Sequence, residues 1–375
     1  MHKVQTIAIF GGGNGAFCHA ADLTMRGFKV NLCEVPELAK NLEGIKDTKT
    51  IHMTTKGNPG MKEGPATVNL VTTNAAEALK EAQVALVVIP AFAQSRFAEF
   101  MAGSLREDQV VVLEPGNFGG SLEFAKVMMA KGKNKAKLPI LMEFQCMIYS
   151  GWKDSPNSVW VGGFKNDLRV AAFPNRRTKE GLEVIRQIFP KLVAAENVFE
   201  TGLSNPNMVF HAPMLVCNAG WCERTKGNFM LYWDGCTKSV GNLVQSIDDE
   251  RMAVGKAYGM DLENCRDMLI RWYGHQGANG ETLQIVMSTN PAYEFDQCPS
   301  SLRHRYFLED IPYGMIPLRE LGKVAGVPTP NTNAIIQVVC TLLGEDLEKG
   351  ARDLKQLGLT GLDVKGIKRV LLEGF

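Results

Sequence analysis

The sequence predicts two domains, a doubly wound α/β sheet followed by an all-α domain. Three observations carry this. Strand-like and helix-like segments alternate from residue 6 to about residue 174. A glycine-rich turn, GGGNGA (11–16), stands between the first strand and the first helix. From about residue 178 the apolar pattern becomes mainly helical. The boundary is read near 178–200, giving domains 1–180 and 190–375.

TIAIF (6–10) is β-rich and continuous, as a strand buried on both faces should be. A helix runs from the glycine turn to Arg26, with Gly27 as its stop, and KVNLCE (29–34) is the second strand. PELAKNLE reads as a helix opened by Pro36, a residue suited to the first helical position. KTIHMTT and ATVNLVTT (66–73) read as a strand pair around a Gly/Pro turn. AAEALKEA is helical, VALVVIP (84–90) a strand, SRFAEFMAGSL a helix and QVVVLEPG (109–116) a strand. SLEFAKVMMAK is a helix, LPILMEF (138–144) a strand, and 158–174 holds the last strands. LEVIRQIF, MVFHAPMLVCNAG, LVQSIDDERMAVGKAYGM, CRDMLIRWYG and VAGVPTPNTNAIIQVVCTLL make the helical part.

The 375 residues are 45% hydrophobic and 22% charged, with a net charge of +1. That balance is an ordinary globular one, and it selects neither nucleic acid nor an anionic membrane surface. The longest apolar stretch, 84–93, is far short of a bilayer span. Nine cysteines without CxxC spacing fit reduced thiols in a cytosol, and the six histidines show no metal-ligand spacing. The expectation is a cytoplasmic protein with no metal, for which a homodimer is compatible.

Gly11, Gly13 and Ala16 form G-x-G-x-x-A directly after a strand and at the start of a helix. This is the context of a dinucleotide-binding, Rossmann-type turn. Gly11 permits the tight turn, Gly13 lets backbone approach a pyrophosphate, and Ala16 allows close helix–strand packing. Asn14 and Gly15 complete the loop. Glu34, 23 residues after Gly11, suits a ribose 2′-OH and repels a 2′-phosphate, so NAD(H) is preferred. Alanine at the third position leaves NADP(H) open. Pro90, Gly116 and Asn117 follow later strands and are candidates for the nicotinamide end, although ordinary turn chemistry explains each singly.

In the helical part, Asn207, His211 and Asn218 fall near one face by i+4 and i+7 spacing. Pro213 removes a backbone donor and distorts the turn around Val209. A buried imidazole there needs a partner, whether structural or ligand. Arg303, His304, Arg305, Glu309 and Asp310 form a dense polar set before IPYG. An arginine fork suits a substrate carboxylate, and a carboxylate suits the far nitrogen of a catalytic histidine. A charged helix start making surface pairs explains the same residues.

Taken together, IFGGGNGA, ALVVIPAFA, VVVLEPGNFGG, NPNMVFHAPMLVCNAG and RYFLEDIPYGMIPLRELGKVAGVPTPNTNAI resemble the opine (octopine-type) dehydrogenase family over roughly residues 4–340. The resemblance implies reductive condensation of an amino acid with a 2-keto acid at the expense of a reduced nicotinamide cofactor. It implies that His211 is the catalytic histidine, Asp310 its carboxylate partner and Arg305 a ligand for a substrate carboxylate. Asn207, Asn218 and Glu143 are the further substrate-binding candidates. The chain departs from the family after Glu143, where Phe144 stands in place of a common threonine; this puts pyruvate in doubt as the keto acid. Two other readings stay open. One is a simple NAD(P)-dependent 2-hydroxy acid or alcohol dehydrogenase of the same architecture. The other is a non-catalytic NAD(H)-binding protein.

Overall fold

The computed structural model describes residues 3–55 and 61–375. The chain divides into two units, Met1–Thr201 with Leu371–Phe375, and Gly202–Val370. The division falls at the far end of the 178–200 interval read from the change in pattern. The helix Thr178–Ile185 and a short strand at Val193–Ala194 still belong to the first unit, where the strand extends the sheet.

Twelve strands occur among the described residues of the first unit. They are β1 (Thr6–Phe10), β2 (Lys29–Cys33), β3 (Thr50–Thr54), β4 (Gly64–Thr67), β5 (Leu70–Thr72) and β6 (Val84–Val87). β7 (Val110–Leu113), β8 (Ile140–Phe144), β9 (Tyr149–Ser155), β10 (Ser158–Phe164), β11 (Arg169–Phe173) and β12 (Val193–Ala194) complete the set. Eight make one sheet in the order β12-β11-β8-β7-β6-β1-β2-β5. The block from β8 to β5 is parallel throughout, and β11 runs antiparallel to β8. From β1 the chain winds outward to β2 and β5, then returns to β6 and winds the other way. That reversal opens the crevice where such sheets bind ligands, at the carboxyl ends of β1 and β6. β1, β6, β7 and β8 are buried along their whole length, which explains their unbroken apolar sequences.

Two expectations change here. ATVNLVTT is not one strand. It crosses from a small sheet, β4-β3-β10-β9, to the edge of the large one at Val68–Asn69. Val68 N–H bonds Lys49 O at 2.8 Å, whereas Asn69 N–H bonds Val30 O at 2.9 Å, so successive amides serve different sheets. β9 is a further strand, in a stretch to which the sequence assigned no element. The Gly/Pro turn expected between β3 and β4 lies partly on residues 56–60, outside the described residues. PELAKNLE is a 3₁₀ segment, Pro36–Ile45, rather than an α-helix.

The second unit is helical. Its principal helices are Asn207–Cys217, Lys238–Ala257, Cys265–Tyr273, Ile316–Ala325 and Pro330–Leu343. VAGVPTPNTNAI is not continuous helix: Gly326, at φ +69°, ends one helix before Pro330 starts the next. The Glu250 carboxylate, on the long helix, receives Asn331 N–H at 2.7 Å and Thr332 N–H at 2.9 Å. It also receives the Asn331 amide at 2.9 Å and the Thr332 hydroxyl at 2.6 Å, and so caps the start of that helix. All nine cysteines are free thiols, and Cys217 is the exposed one. No helix among the described residues is long and apolar enough to cross a membrane.

Candidate active site

The first unit builds a dinucleotide cradle. Gly11 has φ +122°, and a Cβ there would meet Val88 O at 2.5 Å, so the turn requires glycine. Gly13 precedes the helix Asn14–Met25 and has no side chain with which to cap the first-turn amides. A Cβ at Gly13 would meet nothing within 4 Å, so backbone is open to an incoming phosphate. Ala16 is fully buried against the sheet. A Cβ on Gly12 would lie 3.0 Å from Glu34 Oε2, which places the carboxylate directly beside the loop. Glu34 is held from below: Oε1 accepts Val35 N–H at 2.9 Å and Oε2 accepts the Asn41 amide at 3.0 Å. These features fit the adenosine half of a nicotinamide dinucleotide.

Sheet order brings the other candidates to the same edge, because β1, β6 and β7 are adjacent. Pro90 follows β6; Gly116 and Asn117 follow β7 in a turn whose Asn117 and Phe118 have φ +46° and +60°. A pair missed by sequence reading braces the cradle. His19 Nδ1 meets Gly15 O at 2.8 Å, and its Nε2 pairs with Glu114 Oε2 at 2.9 Å with neither side chain exposed. Glu114 Oε1 in turn accepts Ile148 N–H at 2.6 Å. Burial disfavours a charged His19, but the adjacent Glu114 carboxylate outweighs it and raises the imidazole pKa.

Glu143 is fully buried at the end of β8, where Oε1 takes Ser121 N–H at 2.7 Å and its hydroxyl at 2.5 Å. A Cβ on Gly116 would collide with Glu143 Oε2 at 2.0 Å. The carboxylate therefore supports the Gly116–Ser121 loop from beneath. Phe144 is core: it is fully buried and its ring meets Phe189 edge-on at 5.9 Å. Replacing a hydroxyl there changes packing, so the departure no longer argues against a small keto acid. Tyr149 is likewise buried, bonded to Asp22 at 2.6 Å, while Trp152 stacks on Trp160 at 5.0 Å.

The second unit carries the acid–base candidates. His211 sits in the helix Asn207–Cys217, which continues through Pro213 rather than stopping there. Its Nδ1 is 2.7 Å from Asp310 Oδ2, with both side chains largely buried, at 12% and 7% exposure. A carboxylate at Nδ1 fixes that nitrogen as the N–H donor and leaves Nε2 for chemistry. Asp310 opens a π-helical turn, Ile311–Met315. Within it Gly314 packs on the histidine helix so closely that a Cβ would lie 2.8 Å from Met208 Cβ. Small Gly314 thus lets the two segments approach. Wide turns of this kind are frequent at functional sites.

Tyr306 covers the imidazole face, ring centroids 3.8 Å apart and nearly parallel at 19°. Sequence spacing gave no sign of this, since 95 residues separate the two. His304 accepts Tyr306 N–H at 3.4 Å; burial, followed by its electrostatic interaction with His211 and with the Arg305 guanidinium, pushes its pKa down to about 4. Arg305 binds Glu309 Oε2 through Nε at 2.8 Å and Nη2 at 2.6 Å, and its side chain is 47% exposed. Nη1 has no hydrogen bond among the described residues. Asn207, one turn before His211, has an uncommitted amide among the described residues and is partly exposed. Asn218 differs: its amide closes the helix end on Met214 O at 2.8 Å and reaches Gly235 O at 3.2 Å. The described residues contain no cluster of potential metal ligands.

Comparison with known proteins bears on both units. Residues 194–343 match the family described as NAD/NADP octopine/nopaline dehydrogenase, alpha-helical domain. An opine dehydrogenase of Arthrobacter sp. (strain 1C) is 33% identical over 369 residues, which cover 98% of this chain and 99% of the relative. A solved octopine dehydrogenase with NADH and L-arginine superimposes with a TM-score of 0.76 at 18% identity, covering 97% of each chain. The same protein with NADH and pyruvate gives 0.74 at 18% identity and the same coverage.

Proposed function

Because this chain belongs to the opine dehydrogenase family, we propose that it is an NAD(H)-dependent opine dehydrogenase, joining the amino group of an amino acid or another amine to a 2-keto acid. The observation that carries the reading is the 2.7 Å His211–Asp310 pair, which leaves one imidazole nitrogen free to exchange a proton. Amine and keto acid lose water to give an imine. The reduced nicotinamide, when bound, supplies hydride to the C=N carbon. An imidazole, with an ordinary pKa near ~6.5, moves protons at neutral pH. His211 Nε2 takes the proton released as the amine attacks and passes it to the departing oxygen, so that water leaves; it then relays a further proton from solvent to the nitrogen as the C=N bond is reduced. Asp310 holds the ring and balances the imidazolium between these steps. Arg305, with Nη1 uncommitted, receives a substrate carboxylate, and Asn207 offers a hydrogen bond one turn away. Glu34 favours a free 2′-hydroxyl and hence NAD(H), with NADP(H) the second cofactor to be assayed. The structures of octopine dehydrogenase with L-arginine and with pyruvate support an amine and a keto acid as the two substrate classes.

The test is NADH and NADPH oxidation against a matrix of 2-keto acids, each with and without a panel of amino acids and amines. Oxidation that requires both partners is expected. Oxidation with a keto acid alone would replace the reading by a simple dehydrogenase, and NADH binding without turnover by a binding protein.

A further inference from the structure

We propose that Lys153, on β9 of the small sheet and outside the doubly wound fold, is a positioning residue for the cofactor's diphosphate. The proposal rests on the nicotinamide-cofactor reading above. Lys153 N–H bonds Asn14 Oδ1 at 3.1 Å, which ties β9 to the first residue of the helix behind the glycine turn. Its side chain then lies across that first turn. Nζ is 3.5 Å from the Phe17 ring centroid, 3.4 Å from Gly12 O and 3.1 Å from Asn41 O. Gly12 and Asn41 are also the residues that touch Glu34. The ammonium is therefore placed at the ribose side of the glycine loop, beside the open backbone at Gly13.

Among the described residues no carboxylate pairs directly with this charge, and Glu34 acts on it only from beyond hydrogen-bond contact. Lys153 is half-buried, and burial lowers its pKa while nearby Glu34 draws it back up. Its direct partners are two neutral carbonyls and an aromatic face, and among the described residues it closes no ion pair with a carboxylate. A desolvated ammonium next to the positive end of a twelve-residue helix repels it unless an anion intervenes. A diphosphate at Gly13 supplies that anion. It would accept from the helix amides and from Lys153 at once, with the lysine reaching in from the opposite side.

The experiment is calorimetric binding of NADH, NADPH, ADP-ribose and adenosine to wild-type protein, Lys153→Gln and Lys153→Arg, with apo melting curves as a fold control. For Lys153→Gln we expect NADH, NADPH and ADP-ribose to weaken together by about ten- to a hundredfold, the range for a charge-assisted hydrogen bond. Adenosine should be unchanged and Lys153→Arg should recover most of the loss. Equal weakening of adenosine, or unchanged NADH and ADP-ribose, overturns the proposal. Weakening of NADPH alone also overturns it, by moving the contact to the 2′-phosphate. If wild-type protein binds none of the dinucleotides, the cofactor reading itself is wrong; if it binds them and Lys153→Gln binds them equally, only the role of Lys153 is lost. Should Lys153→Gln melt early, the Lys153→Arg comparison and the adenosine control still separate charge from folding.

Discussion

His211 Nδ1 and Asp310 Oδ2 stand 2.7 Å apart although 99 residues of chain separate them. The contact fixes which imidazole nitrogen faces chemistry. Replacing Asp310 by Asn keeps the shape but removes the charge and permits the wrong tautomer. The expected result is a fall in kcat of about 10²–10⁴ with NADH affinity unchanged. Steady-state kinetics with a separate binding titration check this, and a kcat within threefold of wild type would remove the pair from the mechanism.

Gly314 controls the approach of the segments that carry these two residues. In Gly314→Ala the new methyl would sit 2.8 Å from Met208 Cβ, and a backbone-attached atom cannot swing away. The segments should separate, costing about 1–3 kcal/mol of stability. kcat should fall at least about tenfold at a temperature where the variant remains folded. Retained activity would mean that the spacing is not set here.

Glu34 should decide between cofactors. Glu34→Ala removes the ribose acceptor and the charge opposed to a 2′-phosphate. NADH should weaken by about tenfold, the value of one good hydrogen bond, while NADPH tightens. Parallel Kd measurements for both cofactors are the check, and an unchanged ratio would place selectivity elsewhere.

His304 and His19 should act on stability with opposite sign. His304 has a folded pKa of about 4, below the ordinary imidazole value, so the unfolded chain takes up that proton first. Its contribution is full above about pH 6.5 and is lost as pH falls through about 4. His304→Asn should flatten the acid limb of a melting-temperature profile. His19, raised by Glu114, contributes most at low pH and loses that contribution as pH rises through its folded pKa. His19→Gln should therefore matter less at the alkaline end than near pH 6.

Glu250 should be a stability residue remote from the chemistry. Glu250→Ala leaves the first turn of the helix Pro330–Leu343 without its acceptor, since both carboxylate oxygens are engaged there. A loss of about 2–4 kcal/mol in chemical denaturation is expected, with Kd for NADH unaffected in the folded protein.

What the sequence made legible was local. Strand, glycine turn, helix and acid follow one another within 34 residues, and each step has a short-range cause. β9 was missed because YSGWKDS is a half-exposed strand in a small sheet, with no apolar run to mark it. The split between β4 and β5 depends on which strand each amide meets, and the sequence of ATVNLVTT does not carry that information. Tyr306 and Lys153 act through contacts across 95 and 112–141 residues of chain, beyond any periodicity. Asn218 had the spacing of a site residue, yet a carboxamide just past the last helical turn is drawn to orphan carbonyls, and its Nδ2 donates to Met214 O at the helix end. Phe144 drew notice only by departing from a family pattern, and its surroundings are core.

The arrangement of thiols has a practical consequence. Seven of the nine cysteines are buried and Cys340 is half-covered, whereas Cys217 is exposed at the end of the very helix that bears His211. A maleimide dye should therefore attach there selectively, without mutating the background. Partial burial holds the Cys217 thiol above its ordinary pKa, so conjugation should quicken as the buffer is made more alkaline. The wild-type chain can thus carry a fluorescent reporter six residues from the imidazole.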